Sequence, residues 1–282
     1  MSDNTYIVRR NCASVIAKDG VSDICGDTYV WTGNYIAVID GATPKGKKLW
    51  NGMKGDICAA LLAADAVSSM DTHLTAEQAI AYINMRFRKE YERCGIDLND
   101  LPPAERLQCS VVIYSMERRE VWSFGDCMYR IGPEEYCQRK EGDAVFAALR
   151  AFLIQIEKDR TGMQDRELSA HGRREIEPYL KEYTALANRD VPFGYDVING
   201  GEICADHVVV HHVEPGTTVI LSSDGYPKLL DTFEETEAYL QDALREDSMC
   251  IGRLRGTKGI SAGIVSFDDR TYVSFTVPDH EQ

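Results

Sequence analysis

Four times along this chain an apolar, β-branched run stops at an aspartate. Asp40 follows Tyr35-Ile36-Ala37-Val38-Ile39, Asp126 follows Val121-Trp122-Ser123-Phe124-Gly125, Asp224 follows Thr218-Val219-Ile220-Leu221-Ser222-Ser223, and Asp268 follows Gly263-Ile264-Val265-Ser266-Phe267. A fifth, Asp27, stands just before the strand-like stretch 28–32. Such runs read as buried strands, so the five carboxylates fall at strand ends. Taken singly, each reads as a turn, because Asp-Gly is a strong hairpin signal. Two fit a hairpin poorly. Asp40-Gly41 leads into Ala42-Thr43-Pro44-Lys45 and then a helix, and Asp224-Gly225 leads into Tyr226-Pro227, where proline argues against a central strand. If these strands share a sheet edge, their carboxylates converge. Two like charges about 4 Å apart repel by roughly 4 kcal/mol at an effective dielectric of about 20, so such a cluster needs cations or protons to offset it. All-oxygen ligation selects hard ions, Mg²⁺ or Mn²⁺.

The rest of the chain reads as strands in runs, then helices in pairs, then strands again. Strands are expected at 6–17, 28–32 and 35–40, rich in β-branched and aromatic residues. The stretch 56–70 is apolar on nearly every side, as a helix buried against a sheet would be. A helix over 75–94 opens on the capping box Thr75-Ala76-Glu77-Gln78, places Ile80, Ile83, Phe87 and Tyr91 on one face, and ends at Gly95. Strands at 109–115 and 120–124 flank a polar turn, and a short strand follows at 128–131. A helix over 143–159 puts Val145, Leu149, Phe152 and Ile156 on one stripe, which reads as core, and a weaker helix over 173–187 is interrupted by Pro178. Strands at 207–213 and 217–222, a helix opened by the capping box at Thr232 and Glu235, and strands at 260–267 and 271–277 complete the pattern. The order argues for an α+β fold with two antiparallel sheets and helices outside.

Composition narrows the function. The 282 residues can bury one sizeable core, and 44% hydrophobic with 27% charged residues is ordinary for a globular protein. A formal net charge of −14 argues against nucleic acid and against an anionic membrane surface as partners. The N-terminal residues lack an apolar signal core, and the longest apolar stretch, 57–67, is broken by Asp65 and too short to span a bilayer. Nine cysteines without a CxxC pair read as reduced thiols, which points to the cytoplasm. No Ser-His-Asp or Cys-His constellation, Walker loop or dinucleotide fingerprint is visible. His207 and His211 would share one face of a strand, but with no third spaced ligand a structural role is the better reading.

Five motifs, Cys25-Gly26-Asp27-Thr28, Val38-Ile39-Asp40-Gly41, Phe124-Gly125-Asp126-Cys127, Leu221-Ser222-Ser223-Asp224-Gly225 and Asp268-Asp269-Arg270-Thr271, resemble in order and spacing those of the metal-dependent protein serine/threonine phosphatases of type 2C. The resemblance runs over about 25–277. It implies a four-layer α/β/β/α sandwich, with two mainly antiparallel sheets packed face to face and helices outside. It implies one domain over 1–282, with a helical variable segment at about 132–205 that selects substrate or regulates. It further implies two Mn²⁺ or Mg²⁺ ions. Asp40 would bridge both, Gly41 would offer its carbonyl to one, and Asp224 and Asp268 would complete the other. Asp27 would reach the second ion through water, and Asp126 with Asp224 would form a weaker third site. The implied activity is hydrolysis of phosphoserine and phosphothreonine monoesters on a phosphorylated protein by metal-activated water, with Asp40, Asp224 and Asp268 carrying catalysis.

The chain departs from that pattern in ways that bear on phosphate. Many members carry an arginine shortly before the first motif; Ser22 stands roughly there. Gly26 stands where an acidic or amide residue usually precedes Asp27, Ala42 where eukaryotic members have a histidine, and Cys127 where serine is common. Two alternative readings keep the fold: a pseudophosphatase acting as a binding module, and a phosphatase of a small phosphorylated metabolite. A phosphoryl dianion beside five aspartates needs positive charge beyond the metals. Two loops offer it, Lys45, Lys47 and Lys48 after Asp40, and Arg253, Arg255 and Lys258 before Asp268. The second is favoured because a guanidinium can grip phosphate with two parallel hydrogen bonds.

Overall fold

The computed structural model describes residues 8–22 and 24–278, so positions 6 and 7 of the first expected strand lie outside the described residues. One sheet has the order β1 (Arg9–Ile16), β10 (Arg270–Thr276), β9 (Thr218–Ser222), β6 (Met128–Ile131), β7 (Glu134–Cys137). The other has the order β2 (Asp27–Trp31), β3 (Tyr35–Gly41), β4 (Cys109–Ser115), β5 (Glu120–Phe124), β8 (Val209–His212). Neighbouring strands are antiparallel throughout both.

Side-chain alternation along each strand builds the layers. On β3, Ile36 and Val38 face the other sheet and pack with Val112, Tyr114, Leu221, Val273 and Phe275. Ala37 and Ile39 face the opposite way, into a core with Ala59 and Ala63 of α1 (Gly55–Ser68) and Ile80 and Phe87 of α2 (Ala76–Arg93). On the far side, Ile220 and Tyr272 pack against Leu240 and Leu244 of a C-terminal helix, Phe233–Glu246. The result is the expected sandwich of two antiparallel sheets with helices outside. The helix α2 begins where its sequence says it should, because Thr75 accepts from the Gln78 N–H and Gln78 accepts from the Thr75 N–H.

The expected core stripe of the third helix faces solvent instead. In α3 (Glu141–Arg160), Val145 is 52% and Phe152 62% exposed, and Ile156 is also open. The buried face carries Gly142, Ala147, Arg150 and Ile154. The next helix, α4 (Asp165–Tyr183), crosses this face so closely that a Cβ on its Gly172 would lie 2.5 Å from Ile154. Arg150 is fully buried and donates to the carbonyls of Met249 at 2.8 Å, Cys250 at 3.3 Å and Gly256 at 3.2 Å, and to both Ser169 oxygens. Burial lowers its pKa to about 10. This arginine therefore clamps the α3–α4 pair, which lies within the segment 132–205, to the loop that precedes Lys258. Pro178 sits inside α4 without ending it.

Two further expectations are corrected. Residues 260–267 form an irregular loop rather than a strand, since Gly263 takes φ +80 and the Val265 and Ser266 N–H groups both turn to the Lys18 carbonyl. Asp268 thus arrives from a loop, directly before β10. His207 lies in a short helical turn ahead of β8, with Nδ1 2.8 Å from Asp196, while His211 packs at a tilt against Tyr136, so the two do not share a site. The strand β7 had no clear signal, because it is four residues long and opens on two exposed glutamates.

Gly41 ends β3 where two backbones meet: an added Cβ would lie 2.3 Å from the Asp56 carbonyl oxygen and 2.4 Å from that of Gly26. Gly41→Ala should therefore lower stability by about 1–3 kcal/mol. Gly33→Ala, with nothing within 4 Å of the added carbon, should stay within about 0.5 kcal/mol of wild type. Thermal melting of the two variants side by side checks this, and equal melting temperatures would contradict it.

Candidate metal and phosphate site

The same alternation that fills the core delivers the acids. Asp27 pairs with Asp40, and Asp40 with Ser110, in one row across β2, β3 and β4. Asp40 shares the face of Ile36 and Val38, so this polar row closes the layer between the sheets at its edge. Ser110 donates to the Asp126 carboxylate at 2.5 Å and accepts from its N–H at 3.2 Å. Gly125 makes that turn possible with φ +95, where a Cβ would stand 2.4 Å from the Ser110 hydroxyl. From the other sheet, the Asp224 N–H donates to Asp40 Oδ2 at 3.3 Å. Asp40, Gly41, Asp126, Asp224 and Asp268 line one cavity of about 120 Å³. Asp27 is buried beside them, close enough for Asp268 and Asp224 to act on its charge.

The five carboxylates split into two electrostatic classes. Burial pushes Asp27, Asp40 and Asp224 well above the usual carboxylate range, and repulsion from their neighbours pushes them further: Asp268 and Asp224 on Asp27, Asp27 and Asp126 on Asp40, Asp40 and Asp126 on Asp224. Burial is the largest influence on Asp126 and Asp268 too, but lysine charge and hydrogen bonds together outweigh it and hold both low. Lys140 Nζ lies 2.6 Å from Asp126, and Lys258 Nζ lies 2.5 Å from Asp268, with Lys18 at 4.0 Å. Lys18 is shared with Asp269, which also accepts the Lys18 N–H at 2.8 Å.

Lys18 and Lys140 carry no sequence signal of their own. One precedes an ordinary Asp-Gly turn, and the other caps no motif before α3. Of the loop cations, Lys45 and Lys258 line the cavity, joined by Arg173 of α4. Lys47 and Lys48 are exposed, and their backbone N–H groups bind Glu105. Arg253 pairs with Glu246 at 2.8 Å and lies over the Tyr239 ring, and Arg255 lines a neighbouring cleft with Tyr226 and Phe267.

The donor set suits a hard divalent cation. All its side-chain ligands are carboxylates, and Asp27 Oδ2 is buried with no hydrogen-bond partner. Among the described residues, however, no three Asp, Glu, His or Cys side chains are arranged to hold a metal ion as they stand. The outer two acids are engaged by lysines, and the unmet charge is concentrated on Asp27, Asp40 and Asp224. No helix among the described residues is long and apolar enough to cross a membrane.

Two substitutions should move the metal-free protein in opposite directions. Asp224→Asn removes a repelling charge and should raise the melting temperature by about 2 °C or more. Lys140→Met leaves Asp126 as a buried charge without its partner and should cost about 3–5 kcal/mol. Differential scanning calorimetry in chelator reads both, and a destabilised Asp224→Asn would mean the acids do not repel.

No protein-family sequence model matches the chain, and no curated protein matches it by sequence. Solved structures do match. The catalytic domain of the serine/threonine protein phosphatase PstP in complex with two manganese ions aligns with a TM-score of 0.50 at 15% identity, over 96% of this chain and 99% of that one. The Mycobacterium tuberculosis serine/threonine phosphatase PstP/Ppp aligns at 0.48 and 14% identity, over 96% and 100%. PppA of Pseudomonas aeruginosa, a regulatory component of its type VI secretion system, aligns at 0.47 and 13%, over 96% and 98%. The chain therefore has a divergent form of the type 2C serine/threonine phosphatase fold.

Proposed function

We propose that this protein is a metal-dependent phosphatase that hydrolyses phosphoserine and phosphothreonine monoesters, with residues 1–282 acting as one catalytic domain. The observation that carries this reading is that Asp40, Asp126, Asp224 and Asp268 line one cavity with Asp27 buried beside them, and that Asp27, Asp40 and Asp224 are held well above the usual carboxylate range by burial and by their neighbours' charge. Asp40, Asp224, Asp268 and the Gly41 carbonyl would hold two Mn²⁺ or Mg²⁺ ions, with Asp27 behind them and Asp126 at a weaker third position. Bound there, the ions supply an activated water and offset charge on the attacking and leaving oxygens.

The chain's own residues do the rest. Ser110 and Lys140 fix Asp126, so its carboxylate stays ionised at the cavity wall. The Asp224 N–H on Asp40 ties one sheet edge to the other and keeps the two acids in one orientation. Lys258 neutralises Asp268 at 2.5 Å, so an ion at Asp268 must share it or displace the ammonium. All nine cysteines are free thiols, which supports a reducing compartment such as the cytoplasm.

That lysine hold on Asp126 and Asp268 favours one competing reading, a pseudophosphatase that uses the fold to bind. Manganese-dependent turnover of a generic aryl phosphate separates the two. We expect turnover that needs Mn²⁺ or Mg²⁺ and stops with chelator, and a fall of roughly a hundredfold or more in kcat for Asp40→Ala and for Asp224→Ala. Activity that survives excess chelator would sink the metal mechanism. A panel of phosphopeptides and phosphorylated metabolites then fixes the substrate class, with phosphopeptides expected to be the better substrates.

A further inference from the structure

We propose that Lys45, Arg173 and Lys258 together form the subsite that grips the phosphoryl group, in place of the arginine this chain lacks ahead of Asp27. The inference rests on the phosphatase reading above and adds the residues that hold its substrate. Three separate segments supply the three cations: the loop after β3, the helix α4 and the loop before β10. All three line the cavity that Asp40, Asp126, Asp224 and Asp268 also line.

Two threonines fasten them. Lys258 Nζ donates to Thr43 Oγ1 at 2.8 Å, Lys45 Nζ donates to the Thr43 carbonyl at 2.7 Å, and Arg173 Nη1 donates to the Thr257 carbonyl at 3.0 Å. Lys258 is also paired with Asp268 at 2.5 Å, and the remaining cations of the cavity are engaged as well. Lys140 is held by Asp126, and Arg106 donates to the Leu98 and Leu101 carbonyls.

The cationic corner is as uneasy as the acidic one. Burial, together with Lys258, Arg173 and Lys140, lowers the Lys45 ammonium to about 7, with Asp143 opposing them. Burial lowers Arg173 as well, while Asp268, Glu177 and Asp143 pull it back. Like charges held this close out of water are stabilised by an anion between them. The cavity thus carries both signs, carboxylates from Asp40, Asp126, Asp224 and Asp268 and cations from Lys45, Lys140, Arg173 and Lys258, with Lys140 and Lys258 each paired to one of the acids. A phosphate monoester fits that polarity, because its non-bridging oxygens take charge-assisted hydrogen bonds from lysine and arginine. Arg173 also makes the segment 132–205 part of the site, held in place through the Arg150 clamp.

The test uses the full chain with saturating Mn²⁺, inorganic phosphate as probe and an aryl phosphate as substrate. Lys45→Met and Arg173→Leu should each raise the inhibition constant of inorganic phosphate and the KM by about tenfold or more. They should lower kcat by much less and leave Mn²⁺ affinity by calorimetry unchanged. Lys47→Met, on the exposed part of the same loop, should match wild type. Unchanged KM and inhibition constants in both variants would overturn the subsite. A wild type that does not turn over, but whose melting temperature phosphate raises and whose response the two variants lose, would refute the phosphatase reading and uphold the subsite. A wild type that phosphate neither inhibits nor stabilises would overturn the subsite itself.

Discussion

Like charge crowded out of water is the constraint around which this molecule is arranged. Asp27 and Asp40 are direct cross-strand partners, and Asp224 reaches Asp40 from the other sheet through its backbone N–H. Strand alternation, which elsewhere buries Val38 and Val112, here buries ionisable groups. The neighbourhood answers with two lysines on the outer acids, a serine on Asp126 and glycines where a side chain would push the strands apart. Asp27, Asp40 and Asp224 stay well above the usual carboxylate range in spite of the hydrogen bonds that Asp27 and Asp40 receive. An apolar protein core gives no reason to keep three such carboxylates, whereas a site for hard cations does.

Much of this was legible in the chain itself, and the legible parts share a physical cause. The runs ending at Asp40, Asp126 and Asp224 are strands because β-branched residues buried on both faces leave few alternatives. The cap of α2 was readable because Thr75 and Gln78 each bond the other's backbone N–H, a contact local to the sequence. What the sequence hid depends on contacts across the fold. The apolar stripe of α3 looked like core, yet its inner face is set by how closely α4 approaches and by five hydrogen bonds from Arg150, a residue that any pattern would place outside. The apolar stretch before Asp268 looked like a strand, yet it finds no ladder partner and bonds to Lys18 instead.

The lysines of the site were hidden for the same reason. Lys140 is adjacent to no motif and meets Asp126 only because β5 and the start of α3 converge. Lys258 could be shortlisted from its loop, but Arg253 and Arg255 in that loop looked equally suitable; both line the adjoining cleft, which shares Asp126, Asp224 and Asp268 with the site, and Arg253 pairs with Glu246. A guanidinium was the expected phosphate ligand. Of the guanidiniums that line the cavity, Arg173 comes from a helix whose sequence offered no chemistry at all.

The pairing of β1 with β10 has a consequence for how the chain reaches this state. Arg9 lies opposite Thr276, so β1 has no neighbour until β10 exists, and β10 also supplies the other side of β9. Such long sequence separation makes closure of this sheet a slow, late event with unpaired edges in the meantime. Asp268 stands two residues before β10, so the strand that closes this sheet also carries an acid of the cavity. Closure of the sheet and crowding of the acids therefore depend on the same pairing, and the electrostatic cost of the site falls on the docking of β10.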